Sequence, residues 1–149
     1  MAVFAVDTSC MIAAVCGWHE QHVAALTEIE RRLDEGERMA VPAHALIETF
    51  AVLTRLPAPH RLSPADAWTL VEANFIESAV VVVLTAKAYP TLLRRVVKHT
   101  IAGGRTYDAV IAECARKAKA AALLTFNRRH FEPAPTGVTV VDPSTGAAP

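Results

Sequence analysis

Ala2-Val3-Phe4-Ala5-Val6-Asp7-Thr8-Ser9 opens the chain with a short apolar run that stops on an acid and two hydroxyls. The run is too short for a helix and shows no polar alternation, so it reads as a strand buried on both faces. Outward from it the same pattern returns at Met39-Ala40-Val41, Val80–Leu84, Ala121–Thr125 and Val138–Val141. Amphipathic stretches lie between these runs. A short helix is expected from Cys10 to Cys16, with Gly17 as its stop. His22, Leu26, Ile29 and Leu33 recur at helical spacing and predict a long helix over about 19–36. Pro42 suits a first helical turn. Leu46, Ile47, Phe50 and Leu53 then share one face of a helix that ends before Pro57.

The second half continues the alternation. Ser63-Pro64-Ala65-Asp66 is an N-cap followed by proline at the first helical position, opening a helix to about Ser78. Thr85 can cap a helix whose Tyr89, Leu92, Leu93, Val96 and Val97 form one stripe. Gly103-Gly104 breaks the chain, and Tyr107, Val110, Ile111, Cys114, Ala115 and Ala118 resume helical spacing. Strands alternating with helices, apolar on both faces, predict an α/β domain: a parallel sheet of four to five short strands with helices on both faces. One domain is expected over residues 1–142, with a flexible tail at 143–149. In such sheets a ligand sits outside the carboxyl ends of the strands.

Composition narrows the function classes. The 149 residues are 52% hydrophobic and 20% charged, which excludes disorder. Apolar runs such as Ala79 to Leu84 are far short of the ~20 residues of a membrane helix. The first residues carry no basic region and no long apolar core, so no signal peptide is expected and the cytoplasm is the expected location. Cys10, Cys16 and Cys114 form no C-x-x-C pair and read as buried, reduced thiols. Net charge is zero, yet residues 1–93 hold 11 acids against 6 bases and residues 94–149 hold 4 against 9. That asymmetry points to a basic surface patch in the second half.

Four polar residues stand out: Asp7 and Asn127 follow strands, Asp108 sits in the first turn of the helix after the glycine pair, and Glu48 lies in the helix after the second strand. Each has an ordinary structural use. Asp7 can cap the short helix, Asp108 suits a helix's first turn, and Glu48 can sit on a solvated face with Arg55 nearby. Together they converge on one end of one sheet, which those uses do not require. Glu113 lies elsewhere around its helix, with Lys117 as its i+4 partner, and is set aside. His19 and His22 lack the partners of a zinc motif, and His44 stands one turn before Glu48 as a possible substrate contact. No glycine-rich nucleotide loop is present. A haloacid-dehalogenase-type site needs a second aspartate where Ser9 stands.

Here the chain resembles the PIN-domain nucleases, and among them the VapC toxins of bacterial toxin–antitoxin pairs, over about residues 3–142. The resemblance rests on Phe4-Ala5-Val6-Asp7-Thr8-Ser9, Pro42-Ala43-His44-Ala45-Leu46-Ile47-Glu48, Thr106-Tyr107-Asp108-Ala109-Val110-Ile111-Ala112 and Leu123-Leu124-Thr125-Phe126-Asn127-Arg128-Arg129-His130-Phe131, in that order. Asn127 departs from it, because the family often carries aspartate there.

The resemblance implies a metal-dependent endoribonuclease that leaves a 5′-phosphate and a 3′-hydroxyl. Converging carboxylates suit Mg²⁺ or Mn²⁺. Asp7 and Asp108 are the expected metal ligands, and Glu48 a third ligand or the group that orients the attacking water. Asn127 is expected as an outer ligand, with Ser9 and Thr125 bracing the carboxylates. Arg105 and Arg128 are expected to hold the RNA backbone. The implied partners are a VapB-like antitoxin, an RNA substrate and a second copy of the chain in a homodimer. The alternative is a PIN fold whose metal site Asn127 has weakened, acting as an RNA- or partner-binding module.

Overall fold

A computed structural model describes residues 1–145. The opening run forms β1 (Val3–Val6), followed by α1 (Thr8–Val15), α2 (His22–Asp34) and β2 (Arg38–Pro42). Next come α3 (Ala43–Leu53), α4 (Pro64–Val71) continuing into a π-helical turn (Glu72–Ile76), and β3 (Ala79–Val82). α5 (Ala88–Lys98), α6 (Arg105–Lys117), β4 (Ala122–Leu124), a 3₁₀ turn (Arg128–Phe131) and β5 (Thr139–Val141) complete the order. The strands form one five-stranded sheet in the order β3-β2-β1-β4-β5, and every pair is parallel.

This order positions the site. The chain steps outward from β1 to β2 and β3, then returns to the other side of β1 for β4 and β5. The reversal falls between β1 and β4, where their carboxyl ends leave a crevice. Phe4, Ala5 and Val6 of β1, and Leu123 and Leu124 of β4, are fully buried. Successive strand residues face opposite sides, so burial of all of them requires cover on both faces. α1, α3 and α4 enclose a smaller second cluster built on Cys16, Leu53, Ala67 and Val71. The three cysteines are free and buried, as expected from their spacing. Among the described residues no helix is long and apolar enough to cross a membrane.

Several expected details differ. α1 starts at Thr8, not Cys10, because Asp7 accepts the Cys10 backbone N–H and caps the helix there. α3 buries Ala45, Thr49 and Leu53, so its inner face is turned away from the expected Leu46–Ile47 stripe, and Ile47 is 70% exposed. α5 sits at the periphery and packs chiefly on α6, so only Leu92 and Val96 of its stripe are buried. Tyr89, Leu93 and Val97 face out, as does Tyr107 on α6. β3 is an edge strand, and Val80, Val81 and Val83 keep substantial exposure where cover on both faces was expected. Gly103 adopts φ +61°, a left-handed turn that lets the chain enter α6 directly. Pro143, assigned by sequence to the tail, is buried, and Asp142 organises a turn with Ser144 and Thr145. Residues 146–149 of the expected tail lie outside the described residues.

The difference between core and rim is measurable. Leu123→Ala, in the middle of β4, should lower unfolding free energy by about 2–5 kcal/mol in urea denaturation. Val97→Ser, on the open face of α5, should change it by no more than about 0.5 kcal/mol. Equal losses would contradict the assignment of α5 to the periphery.

Candidate active site: a carboxylate groove at the sheet's switch point

Asp7 terminates β1 and is 3% exposed. Its Oδ1 accepts hydrogen bonds from the Ser9 hydroxyl (2.7 Å) and the Cys10 backbone N–H (3.0 Å). Its Oδ2 accepts from the Thr125 hydroxyl at 2.5 Å, across the β1–β4 junction. The two hydroxyls are themselves held: the Phe126 N–H donates to Ser9 Oγ (3.1 Å) and the Asn127 N–H to Thr125 Oγ1 (2.9 Å). Burial pushes the Asp7 carboxyl up to about 6, although the Thr125, Cys10 and Ser9 donors favour its charged form; the nearby Asp108 charge adds to the rise.

Glu48 reaches the same groove from the second turn of α3, where Thr8 Oγ1 donates to its Oε1 at 2.5 Å. Asp108 reaches it from the first turn of α6. Its carboxyl is raised, chiefly by burial and then by the Glu48 charge, against opposing His130 and Arg105. Asn127 lies at the exposed start of the 3₁₀ turn and lines the groove. The groove encloses about 490 Å³, and Asp7, Glu48, Asp108 and Asn127 all line it. Another recess, of about 350 Å³, runs along β3; it is lined by valines and contains no acid, so it offers none of this chemistry.

The two arginines expected on RNA are placed differently. Arg105 lines the groove, but its Nη2 lies 3.3 Å and 3.4 Å from the carbonyls of Arg129 and Glu132, tying α6 to the 3₁₀ turn. Its Nε is buried without a hydrogen-bond partner. Arg128 is exposed and lines a small recess with Asn127 and His130. Glu113 is paired with Arg95 and Arg116. Its expected partner Lys117 instead donates to the Val83 carbonyl. His19 and His22 make only local contacts, to the Gln21 backbone N–H and the Ala13 carbonyl.

Sequence reasoning missed His130. Its Nδ1 lies 3.2 Å from Asp108 Oδ2, and it lines the groove. The signal was its place three residues after Asn127, within one helical turn. It also left the role of Tyr107 unread: this ring stacks on His44, with centroids 4.9 Å apart and planes 10° from parallel.

Among the described residues no three His, Cys, Asp or Glu side chains are arranged to hold a metal by themselves. The donor set still fits Mg²⁺, which takes one or two carboxylates and completes its shell with water and substrate phosphate. Two acids raised by burial and by a neighbouring carboxylate are short of positive charge, and a hard cation between them relieves that.

Comparison with known proteins places this arrangement. The PIN domain family model matches residues 4–134. The chain is 39% identical to Ribonuclease VapC40 of Mycobacterium tuberculosis over 130 residues, covering 87% of this chain and 90% of that protein. It is 36% identical to Ribonuclease VapC27 of the same organism over 116 residues, 78% and 79% of the two chains. A crystal structure of DNA-bound VapBC from Salmonella typhimurium superposes with a TM-score of 0.69 at 22% identity, covering 96% of this chain and 99% of that one.

The raised Asp7 carboxyl makes a signed prediction. The folded state binds this proton more tightly than the unfolded chain does, with a carboxyl near 6 against 3.8. Stability is therefore lost as pH rises from about 4 through 6, and the loss levels off above that at about 3 kcal/mol. Asp7→Asn keeps an oxygen for Ser9 and Cys10 and removes the charge. In metal-free buffer at neutral pH it should unfold at a higher temperature than the parent, and the difference should vanish toward pH 4. Thermal unfolding monitored by circular dichroism across that range checks this; a variant no more stable at neutral pH contradicts it.

Proposed function

The chain belongs to the PIN-domain family, and from that footing we propose that it is a VapC-type endoribonuclease, the toxin of a toxin–antitoxin pair. The observation that carries the proposal is the meeting of Asp7, Glu48, Asp108 and Asn127 in one groove, contributed by four separate segments of the chain. A structural use explains each residue alone. None explains why all four face the same space.

Asp7 and Asp108 would hold Mg²⁺ or Mn²⁺. When bound, such an ion lowers the pKa of a water and stabilises charge on a phosphodiester under in-line attack. The chain's own groups do the rest. Ser9, Thr125 and the Cys10 N–H fix both oxygens of Asp7, so the carboxylate cannot rotate out of the groove. Thr8 fixes one oxygen of Glu48, and the other orients the attacking water. Asn127 offers a carbonyl oxygen without charge. Arg128 stands at the rim for the RNA backbone, and Arg105 adds positive potential while bracing the 3₁₀ turn. The protein partners of this reading are a VapB-like antitoxin covering the acidic groove and a second copy of the chain.

One observation favours a weaker enzyme. Asn127 contributes no charge to a groove with only three carboxylates. If that asparagine has crippled the metal site, Asn127→Asp should increase cleavage more than about tenfold at limiting Mn²⁺.

The test incubates purified, antitoxin-free protein with total cellular RNA and Mg²⁺ or Mn²⁺, and maps new 5′ ends. Discrete cuts that need metal and disappear in Asp108→Ala are expected. Folded parent protein that makes no cuts with either metal, while still retaining RNA, would leave the binding module in place of the nuclease.

A further inference from the structure

Ile47 and Tyr107 each belong to an apolar pattern at helical spacing, yet both lie outside the core, 70% and 53% exposed. Each immediately precedes an acid of the groove, Glu48 and Asp108. The helices that carry them meet at the His44–Tyr107 stack, with planes only 10° from parallel. His44 lies one helical turn before both Ile47 and Glu48, so Ile47 borders the stacked pair on the surface of α3. Stacking fixes the Tyr107 ring on one side and leaves much of it open. His44 Nε2 is buried without a partner, so no hydrogen bond at that atom explains the pairing.

The sheet order gives this surface a direction. α3 follows β2 on one side of β1, whereas Asn127, Arg128 and His130 follow β4 on the other. The acids of the groove thus have an aromatic neighbour, the His44–Tyr107 stack one helical turn from Glu48, and a cationic one, Arg105. A single-stranded nucleic acid has the same two-sided chemistry, with phosphates that seek cations and unstacked bases that seek aromatic faces.

We propose that Tyr107, backed by His44 and flanked by Ile47, is a stacking shelf for an unpaired base of the RNA next to the phosphodiester held at the carboxylates. The shelf deepens the ribonuclease reading and rests on it: it adds a positioning surface for one nucleotide beside the carboxylates. Stacking accepts every base, because each has a π-face, so the shelf selects for an exposed nucleotide more than for sequence. Held by His44, the ring loses little freedom when a base arrives.

The test uses full-length protein in EDTA, so that binding is read without cleavage. The probe is a short single-stranded RNA carrying 2-aminopurine, together with the same strand abasic at that position. Tyr107→Ala should weaken binding of the intact strand about 5- to 150-fold and abolish the quenching of 2-aminopurine. Tyr107→Phe should bind within about twofold of the parent, and Tyr107→Leu, which keeps apolar bulk without the ring, should bind like Tyr107→Ala. The penalty should disappear on the abasic strand.

Unchanged binding by Tyr107→Ala, or a penalty that persists on the abasic strand, overturns the shelf. So does a Tyr107→Ala protein that shifts from dimer to monomer with intact RNA affinity, which would assign this face to a second copy of the chain. If the parent cleaves RNA and the variants bind as it does, the shelf alone is wrong. If the parent neither binds nor cleaves RNA, the ribonuclease reading fails and the shelf falls with it.

Discussion

A carboxylate buried at the end of the central strand, Asp7, ties this structure together. One oxygen closes the first turn of α1 through Ser9 and the Cys10 N–H; the other crosses to Thr125 at the end of β4. The same residue is a helix cap, a clasp between the two halves of the sheet and an acid of the groove. Structural and functional readings of Asp7 are therefore not alternatives. The donors that hold it favour its charge, and burial outweighs them, leaving the carboxyl near 6. The fold keeps at its centre a carboxyl whose charge burial disfavours, a pattern typical of sites arranged for function.

The electrostatics of the groove follow from that choice. Glu48 raises Asp108, and Asp108 raises Asp7. His130 and Arg105 oppose this from one side only. Both belong to the segment pair formed by α6 and the 3₁₀ turn, and Arg105 fastens that pair through two backbone carbonyls. The partial compensation leaves a deficit of positive charge that a divalent cation would relieve before an anionic phosphodiester could approach. Asn127 makes the deficit smaller than an aspartate there would.

Away from the groove, the molecule exposes apolar surface at its edges. β3 presents Val80, Val81 and Val83, and α5 presents Tyr89, Leu93 and Val97. An open parallel edge invites pairing with another chain. Here Lys117 reaches from the end of α6 to donate to the Val83 carbonyl, occupying an acceptor just beyond that strand and placing a charge beside it. The lysine that helical spacing assigns to Glu113 is used at the sheet instead, and Arg95 and Arg116 neutralise the glutamate.

Local sequence determined which elements form and in what order, because strand burial, proline placement and helix caps are written in residues close along the chain. The Asp7 cap, the Ser63–Pro64 cap and the Gly103–Gly104 break all appear where the residues put them. The acids of the groove were legible for the same reason: Asp7 follows a strand, Asp108 opens a helix and Glu48 lies in the helix that follows β2, and parallel sheets gather such positions at one end. Helical phase was not decided locally. A sequence with apolar residues on more than one face, such as α3 or α5, can turn several ways, and the choice depends on what packs against it. Packing turned Ile47 and Tyr107 outward and left only two of the five α5 stripe residues inside. His130 escaped notice because its meaning lies in a 3.2 Å contact with a residue 22 positions earlier, made when β4 settles beside β1. Chain-distant pairs of this kind are set by strand order, and strand order exists only in the folded molecule.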